Sequence, residues 1–262
     1  MTEGPPTTLE EQPPPQLYKY RSLGSQGLQE IFTRSVVWFA RPDSFNDPFD
    51  CRVRIVYDRS PEELDQYWDQ MLAKYQPELT PEERRALKQQ AIAAGNRESC
   101  MDAHMQQAVD SRGVYSVSAT PNHLLLWSHY ADGHKGLCLR FEHIVDLFPE
   151  VRLPGAHHIR YPERFPLVSE KADPREHVEA TILTKPACWA YEEEWRFLDV
   201  ENGHGWRRFD PKYLSGVIFG CRMEEEERRR VREWVAAGPT RPEFLQATIR
   251  KGDFALDIVP AD

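Results

Sequence analysis

The sequence predicts an α+β or mixed α/β domain. Three observations carry this: short aromatic or β-branched runs alternate with amphipathic segments, helix-start signals cluster in one central block, and no repeat or glycine-rich phosphate loop occurs. "LYKYRS" (17–22) reads as a strand, "LQEIFTRS" (28–35) as a helix and "VVWFARP" (36–42) as a strand that Pro42 ends. "DSFNDPFD" (43–50) has an Asn-Asp-Pro turn centre between two phenylalanines. Phe45 and Phe49 are therefore expected to pin the loop into the core and fix Asn46 and Asp47. From 60 to 112 the chain reads as a helical insertion. Ser60 caps a helix with Pro61 at its first position, Thr80-Pro81 repeats the signal with Gly95 as the stop, and a third helix runs from Glu98 to Val109. Val114–Ser118 follows as a strand, Thr120 as the cap of a helix ending at Tyr130, and "GLCLRF" (136–141) as the returning strand. "HHIRY" (157–161), a helix over Glu176–Leu183, a strand through "TKPACWAYEEEWRF" (184–197), "GVIFG" (216–220), a charge-paired helix on "EEEERRRVREW" and "FALDIV" (254–259) complete the order. No low-complexity linker interrupts residues 17–262, which are read as one domain. The Pro-rich polar segment 1–16 is expected to be disordered.

Composition narrows the function classes. Of the 262 residues 40% are hydrophobic and 29% charged, as in soluble globular proteins. No apolar run approaches the roughly 20 residues of a membrane helix, and the N-terminus lacks a secretion signal, so a cytoplasmic protein without membrane contact is expected. A net charge of −9 argues against broad phosphate-driven nucleic-acid binding. The five cysteines are scattered with no C-x-x-C, and His157–His158 lacks metal-ligand spacing, so no metal site is expected.

The stretch 184–197 sets three glutamates between two tryptophans. As one strand, it places Trp189, Tyr191, Trp195 and Phe197 with Glu193 on a core face, and Glu192, Glu194 and Arg196 on the other. Two further strands carry polar faces: Lys19 with Arg21, and Ser116 with Ser118. Together they predict one cleft lined by cations, hydroxyls and paired carboxylates. A solvated ion-pair face is the structural alternative.

Four phrases carry a resemblance: "LYKYRS", "FNDPFD", "WSHYADGHKGLCLRF" and the K-x-x-x-W-x-x-E-x-E-W-R run from Lys185 to Arg196. They resemble a bacterial family known as domain-of-unknown-function family 2971, over about Leu17 to the C-terminus. Their order resembles that of the ADP-ribosyltransferase superfamily, which implies an α+β fold with a mixed or antiparallel split sheet bearing an Arg or His strand, an S-T-S strand and a glutamate within E-x-E. The resemblance implies Glu194 as catalytic glutamate and Glu192 as its E-x-E partner. It places Ser116 and Ser118 at the S-T-S position, with Val117 between them, and Lys19 or Arg21 at the Arg/His position. NAD is then the substrate. Its nicotinamide–ribose bond breaks through an oxocarbenium-like state that a carboxylate stabilises. Trp127 or Tyr130 is then expected to stack on nicotinamide, although Trp127 in "LLLWSHY" also reads as a core residue. Asn46 and Asp47 have no counterpart in the superfamily, and the loop alone places them in the cleft. The acceptor (protein, nucleic acid or small molecule) is left open, as is an antitoxin or immunity partner of a toxin or phage-defence protein.

Two other readings stay open from the residues. One is a non-catalytic ligand- or partner-binding module of a bacterial stress or defence system. The other is a hydrolase of nucleotides or nucleic acids, with Asp47, Asp50 and the glutamates holding Mg²⁺.

Overall fold

The computed structural model describes residues 11–57, 60–93 and 97–261. Strand β1 (Gln16–Arg21) leads to α1 (Leu28–Arg34), β2 (Val36–Phe39) and β3 (Arg54–Val56). Helices α2 (Pro61–Tyr75), α3 (Pro81–Ala93) and α4 (Arg97–Asp110) precede β4 (Gly113–Ser118), α5 (Leu124–Tyr130) and β5 (Leu137–Glu142). Then come β6 (His157–His158), β7 (Leu167–Ser169), α6 (Pro174–Ile182), β8 (Glu194–Asp199) and β9 (Gly205–Arg208). β10 (Leu214–Phe219), α7 (Glu225–Ala237), β11 (Glu243–Ile249) and β12 (Leu256–Pro260) close the chain.

Eight strands form one mixed sheet in the order β12-β11-β10-β5-β1-β4-β8-β6. β10 and β11 run parallel, and the other neighbours run antiparallel. The α+β expectation with a mixed sheet is met. The register has one weak seam. β1 pairs six residues with β5, and β4 pairs six with β8, yet β1 and β4 meet only at Tyr18↔Ser118. The sheet opens between two well-paired halves, and the cleft described below lies at this opening.

Packing explains the strand runs. One cluster fills the space on one side with rings, Phe39, Tyr115, Phe148 and Phe197 among them, stacked and edge-to-face. A second cluster gathers Tyr18, Tyr20, Leu126 and Trp127 beneath α5. α2 opens as expected, with Ser60 and Glu63 forming a reciprocal capping box. Gly95, the expected stop of α3, lies outside the described residues, as do residues 1–10 of the Pro-rich segment. Gln16 already belongs to β1, and the Glu11 carboxylate lies 3.0 Å from His158 Nδ1.

Local details depart from the sequence reading. Helix α5 begins at Leu124 with His123 at its cap position, because the Ser118 hydroxyl takes the Thr120 N–H (3.1 Å) in a tight turn before the helix. In α7, Glu224 is the cap residue, so the charge pairs form between Glu225 and Arg228 and between Glu226 and Arg229. "HHIRY" pairs as a strand only over His157–His158. β3, β7, β9 and β11 have no counterpart in the sequence reading; β3 and β7 are only three residues long.

Candidate active cleft

The segment before β8 is not a strand. Pro186 opens a 3₁₀ turn over Ala187–Glu192, and Glu193 closes it in the left-handed conformation (φ 44°), donating its N–H to Ala190 O. Trp189 and Tyr191 therefore leave the core face that strand alternation assigned to them. The turn still brings Glu192 beside Glu194, by reversing the chain between them rather than by strand alternation.

Three charged side chains, Lys185, Arg196 and Asp50, pack around these two glutamates, and all five are almost wholly buried. Lys185 Nζ donates to Glu192 Oε2 (2.5 Å) and Glu194 Oε2 (3.1 Å). Arg196 donates from Nε to Glu194 Oε1 (2.7 Å) and from one Nη to both oxygens of Asp50 (2.9 and 2.7 Å). Its other Nη reaches the Ile182 carbonyl at 2.6 Å. Tyr130 donates its hydroxyl to Glu192 Oε1 (2.7 Å), and the Tyr161 hydroxyl accepts the Glu194 N–H (2.8 Å). Arg196 is 0% exposed, so the solvated ion-pair face kept as the structural alternative is not what forms. The ion pairs are interior because β8 is buried along its whole length.

Aromatic rings cover the cations. The Trp189 ring lies 4.8 Å from Lys185 Nζ, and the Phe45 ring 5.3 Å from the Arg196 guanidinium carbon. Rings that exclude water strengthen each ion pair beneath them. This accounts for so much acid inside so aromatic a stretch. Burial alone would raise the Glu194 carboxyl, but Arg196, Lys185 and the Ser116 hydroxyl hold it down to about 2. Burial would likewise lower Lys185, and the two glutamates raise it instead. Both stay ionised across the neutral range.

The cluster forms one wall of a cleft of about 480 Å³ at the β1–β4 opening. Lys19, Asn46, Ser116, Ser118, Tyr130, Glu192 and Glu194 all line it. Lys19 Nζ bridges the seam, donating to the Ser116 carbonyl at 2.6 Å, and burial lowers its amine to about 8 with Arg21 adding to the effect. Three expected residues lie elsewhere. Arg21 turns to the Gln26 carbonyl (2.6 Å) beyond the cleft. Trp127 is 0% exposed beneath α5, edge-on to Tyr20 with its indole N–H on Pro121 O (2.9 Å), so it has no face for nicotinamide. Asp47 is buried in the loop, accepting from the Trp189 indole (2.7 Å) and the Phe49 N–H (2.9 Å). The loop is thus anchored by Asp47 and Phe45, whereas Phe49 is 61% exposed and anchors nothing.

The sequence reading places Asp50 beside the glutamates only as a Mg²⁺ ligand of the hydrolase alternative, and Lys185 only as the first residue of the run ending at Arg196; it expects neither as an ion-pair partner in the cleft wall. Among the described residues no group of His, Cys, Asp and Glu has the arrangement of a metal site. The Asp50–Glu192–Glu194 carboxylates surround Lys185 Nζ and the Arg196 guanidinium, which take the place a bridging metal would need.

Comparison of the chain with protein-family models, curated proteins and solved structures finds no match. Among the described residues no helix is long and apolar enough to cross a membrane.

Proposed function

We propose that the protein cleaves the nicotinamide–ribose bond of NAD and passes the ADP-ribosyl group to an acceptor, as ADP-ribosyltransferases do. The observation that carries this reading is Glu194: a carboxylate held ionised by two cations, in the wall of a ligand-sized cleft at the sheet's seam. As the C1′–N bond breaks, positive charge grows on the ribose. A fixed negative charge beside it is already oriented and costs no rearrangement at that moment. With its carboxyl held near 2, Glu194 acts by charge and not by moving a proton. Tyr130 and Lys185 fix Glu192 and thereby the mouth of the same wall. Lys19 supplies the cleft's amine for an anionic group of the substrate. The resemblance of the strand motifs to the superfamily, and to the bacterial family of unknown function, supports the same assignment from the residues alone. The test is direct: incubate purified protein with NAD and follow nicotinamide release, with and without Mg²⁺.

One observation favours a second reading. Every carboxylate oxygen of Asp50, Glu192 and Glu194 already accepts a hydrogen bond from the protein. A cleft so self-satisfied also suits a binding module that holds a ligand without turning it over. NAD binding without nicotinamide release, by calorimetry and chromatography on one sample, would select it.

A further inference from the structure

ADP-ribosyl transfer needs a base for the incoming nucleophile, and the six carboxylate oxygens described above have no vacant role as that base. Protonating any of them breaks a bond to Lys185, Arg196 or Tyr130. Tyr130 is a donor to Glu192, and burial followed by the Glu192 charge pushes its phenol up. Lys19 donates to the Ser116 carbonyl. Tyr18 and Tyr20 also line the cleft, but both are buried and donate their hydroxyls, to Gln16 Oε1 and the Thr120 carbonyl. That leaves His129, exposed in the last turn of α5. Imidazole is also the side chain whose ordinary ionisation falls between pH 5 and 8.

A second contact supports a working geometry. His129 Nδ1 lies 3.4 Å from the Tyr191 hydroxyl, with the rings edge-on at 85°. Tyr191 is itself held from another side by His123, stacked at 5.3 Å. Tyr130 on its own helix and Tyr191 of the 187–192 turn contact His129, and the charged groups that share its cleft are Lys19, Asp50, Lys185, Glu192 and Glu194.

We propose that His129 is the general base of the transfer and that Tyr191 is its positioning residue. The inference rests on the NAD-cleaving reading. Nδ1–H donates to the Tyr191 oxygen, which leaves the Nε2 lone pair for the acceptor. The C1′–N bond breaks with its electron pair going to nicotinamide, the acceptor oxygen bonds to C1′, and the acceptor proton passes to Nε2. Solvent then removes that proton.

The test measures nicotinamide release and ADP-ribosyl transfer from pH 5 to 9 for the wild type, His129→Gln and Tyr191→Phe, with and without added imidazole. The expected wild-type rate falls on the acid side through one ionisation. His129→Gln lowers the rate about 100-fold, loses that acid limb and regains rate with imidazole, while its melting temperature stays unchanged. Tyr191→Phe lowers the rate less and keeps the limb. Release by the wild type with an unaltered rate and profile in His129→Gln overturns this proposal alone. A slow variant that keeps the acid limb and ignores imidazole overturns it equally. No release by the wild type overturns the NAD-cleaving reading, and this proposal with it.

Discussion

Arg196 holds both carboxylate oxygens of Asp50, at 2.9 and 2.7 Å, across 146 positions of sequence. This pair ties the end of the "FNDPFD" loop to strand β8 and builds the cleft's inner wall from two distant segments. Arg196→Lys keeps the charge but loses the fork that serves Asp50, Glu194 and the Ile182 carbonyl together. One ammonium cannot serve all three partners, so a buried carboxylate is left unpaired and the variant should lose about 3–5 kcal/mol in urea unfolding. A loss below about 1 kcal/mol would mean that the pair is structurally idle.

The loop's two phenylalanines should separate in the same assay. Phe49→Ala is expected to change stability by no more than about 0.5 kcal/mol, the usual size for an exposed site. Asp47→Ala leaves the part-buried Trp189 indole N–H and Phe49 N–H without their acceptor, at about 1–3 kcal/mol. It should also speed proteolysis between Ser44 and Asp50. Equal effects from both substitutions would contradict the anchoring by Asp47.

Much of this architecture is legible in the sequence, and the failures share a cause. β1, β4 and β5 announce themselves because alternating aromatic and aliphatic residues pack on two ring-filled cores. The joining of Lys19, Ser116 and Glu194 at one cleft follows from asking where three polar strand faces go. Trp189 and Tyr191 mislead because a 3₁₀ turn with aromatic residues two apart mimics strand alternation until Glu193 turns left-handed. Trp127 reads as a core residue before a stacking one, and the position of α5 over Tyr20 makes it core. Asp50 groups with the glutamates as a metal ligand in the sequence, but its pairing with Arg196 is not legible there. Its role is set by an arginine that tertiary packing alone brings to it.

Acid should weaken the fold through Glu194. Its folded carboxyl is depressed to about 2 from an ordinary 4.5. A depressed carboxyl stabilises the fold above its unfolded value, and that contribution is lost as pH falls from about 4.5 towards 2. The loss attributable to this group is about 3 kcal/mol. Urea unfolding of the wild type and Glu194→Gln across pH 2–6 should show the gap between the two proteins closing at the acid end. A gap independent of pH would contradict the assignment.

Lys19 should report an anionic ligand by taking up a proton. Its folded amine is lowered to about 8, so near that pH it is about half protonated, and a phosphate beside it restores the charge. Calorimetry of NAD binding at pH 8, in two buffers of different ionisation enthalpy, should show uptake of about half a proton. Uptake should be near zero at pH 6.5, where the amine is already charged. Equal uptake at both pH values, or none at pH 8, would remove Lys19 from the binding site.

The central claim is that the fixed charge of Glu194 drives bond cleavage, and one rate measurement tests it most directly. Glu194→Gln keeps the side chain's shape and removes its charge, at some cost in stability because Arg196 and Lys185 lose a partner. Nicotinamide release from NAD is therefore compared at a temperature where wild type, Glu194→Gln and Glu193→Gln are all folded by circular dichroism. Glu193 is exposed and outside the ion-pair cluster. Release by Glu194→Gln should fall at least about 100-fold, the scale of about 3 kcal/mol for one preorganised electrostatic contact. Glu193→Gln should match the wild type. A folded Glu194→Gln protein that releases nicotinamide at the wild-type rate would contradict the account and leave the buried ion pairs as scaffolding for the cleft.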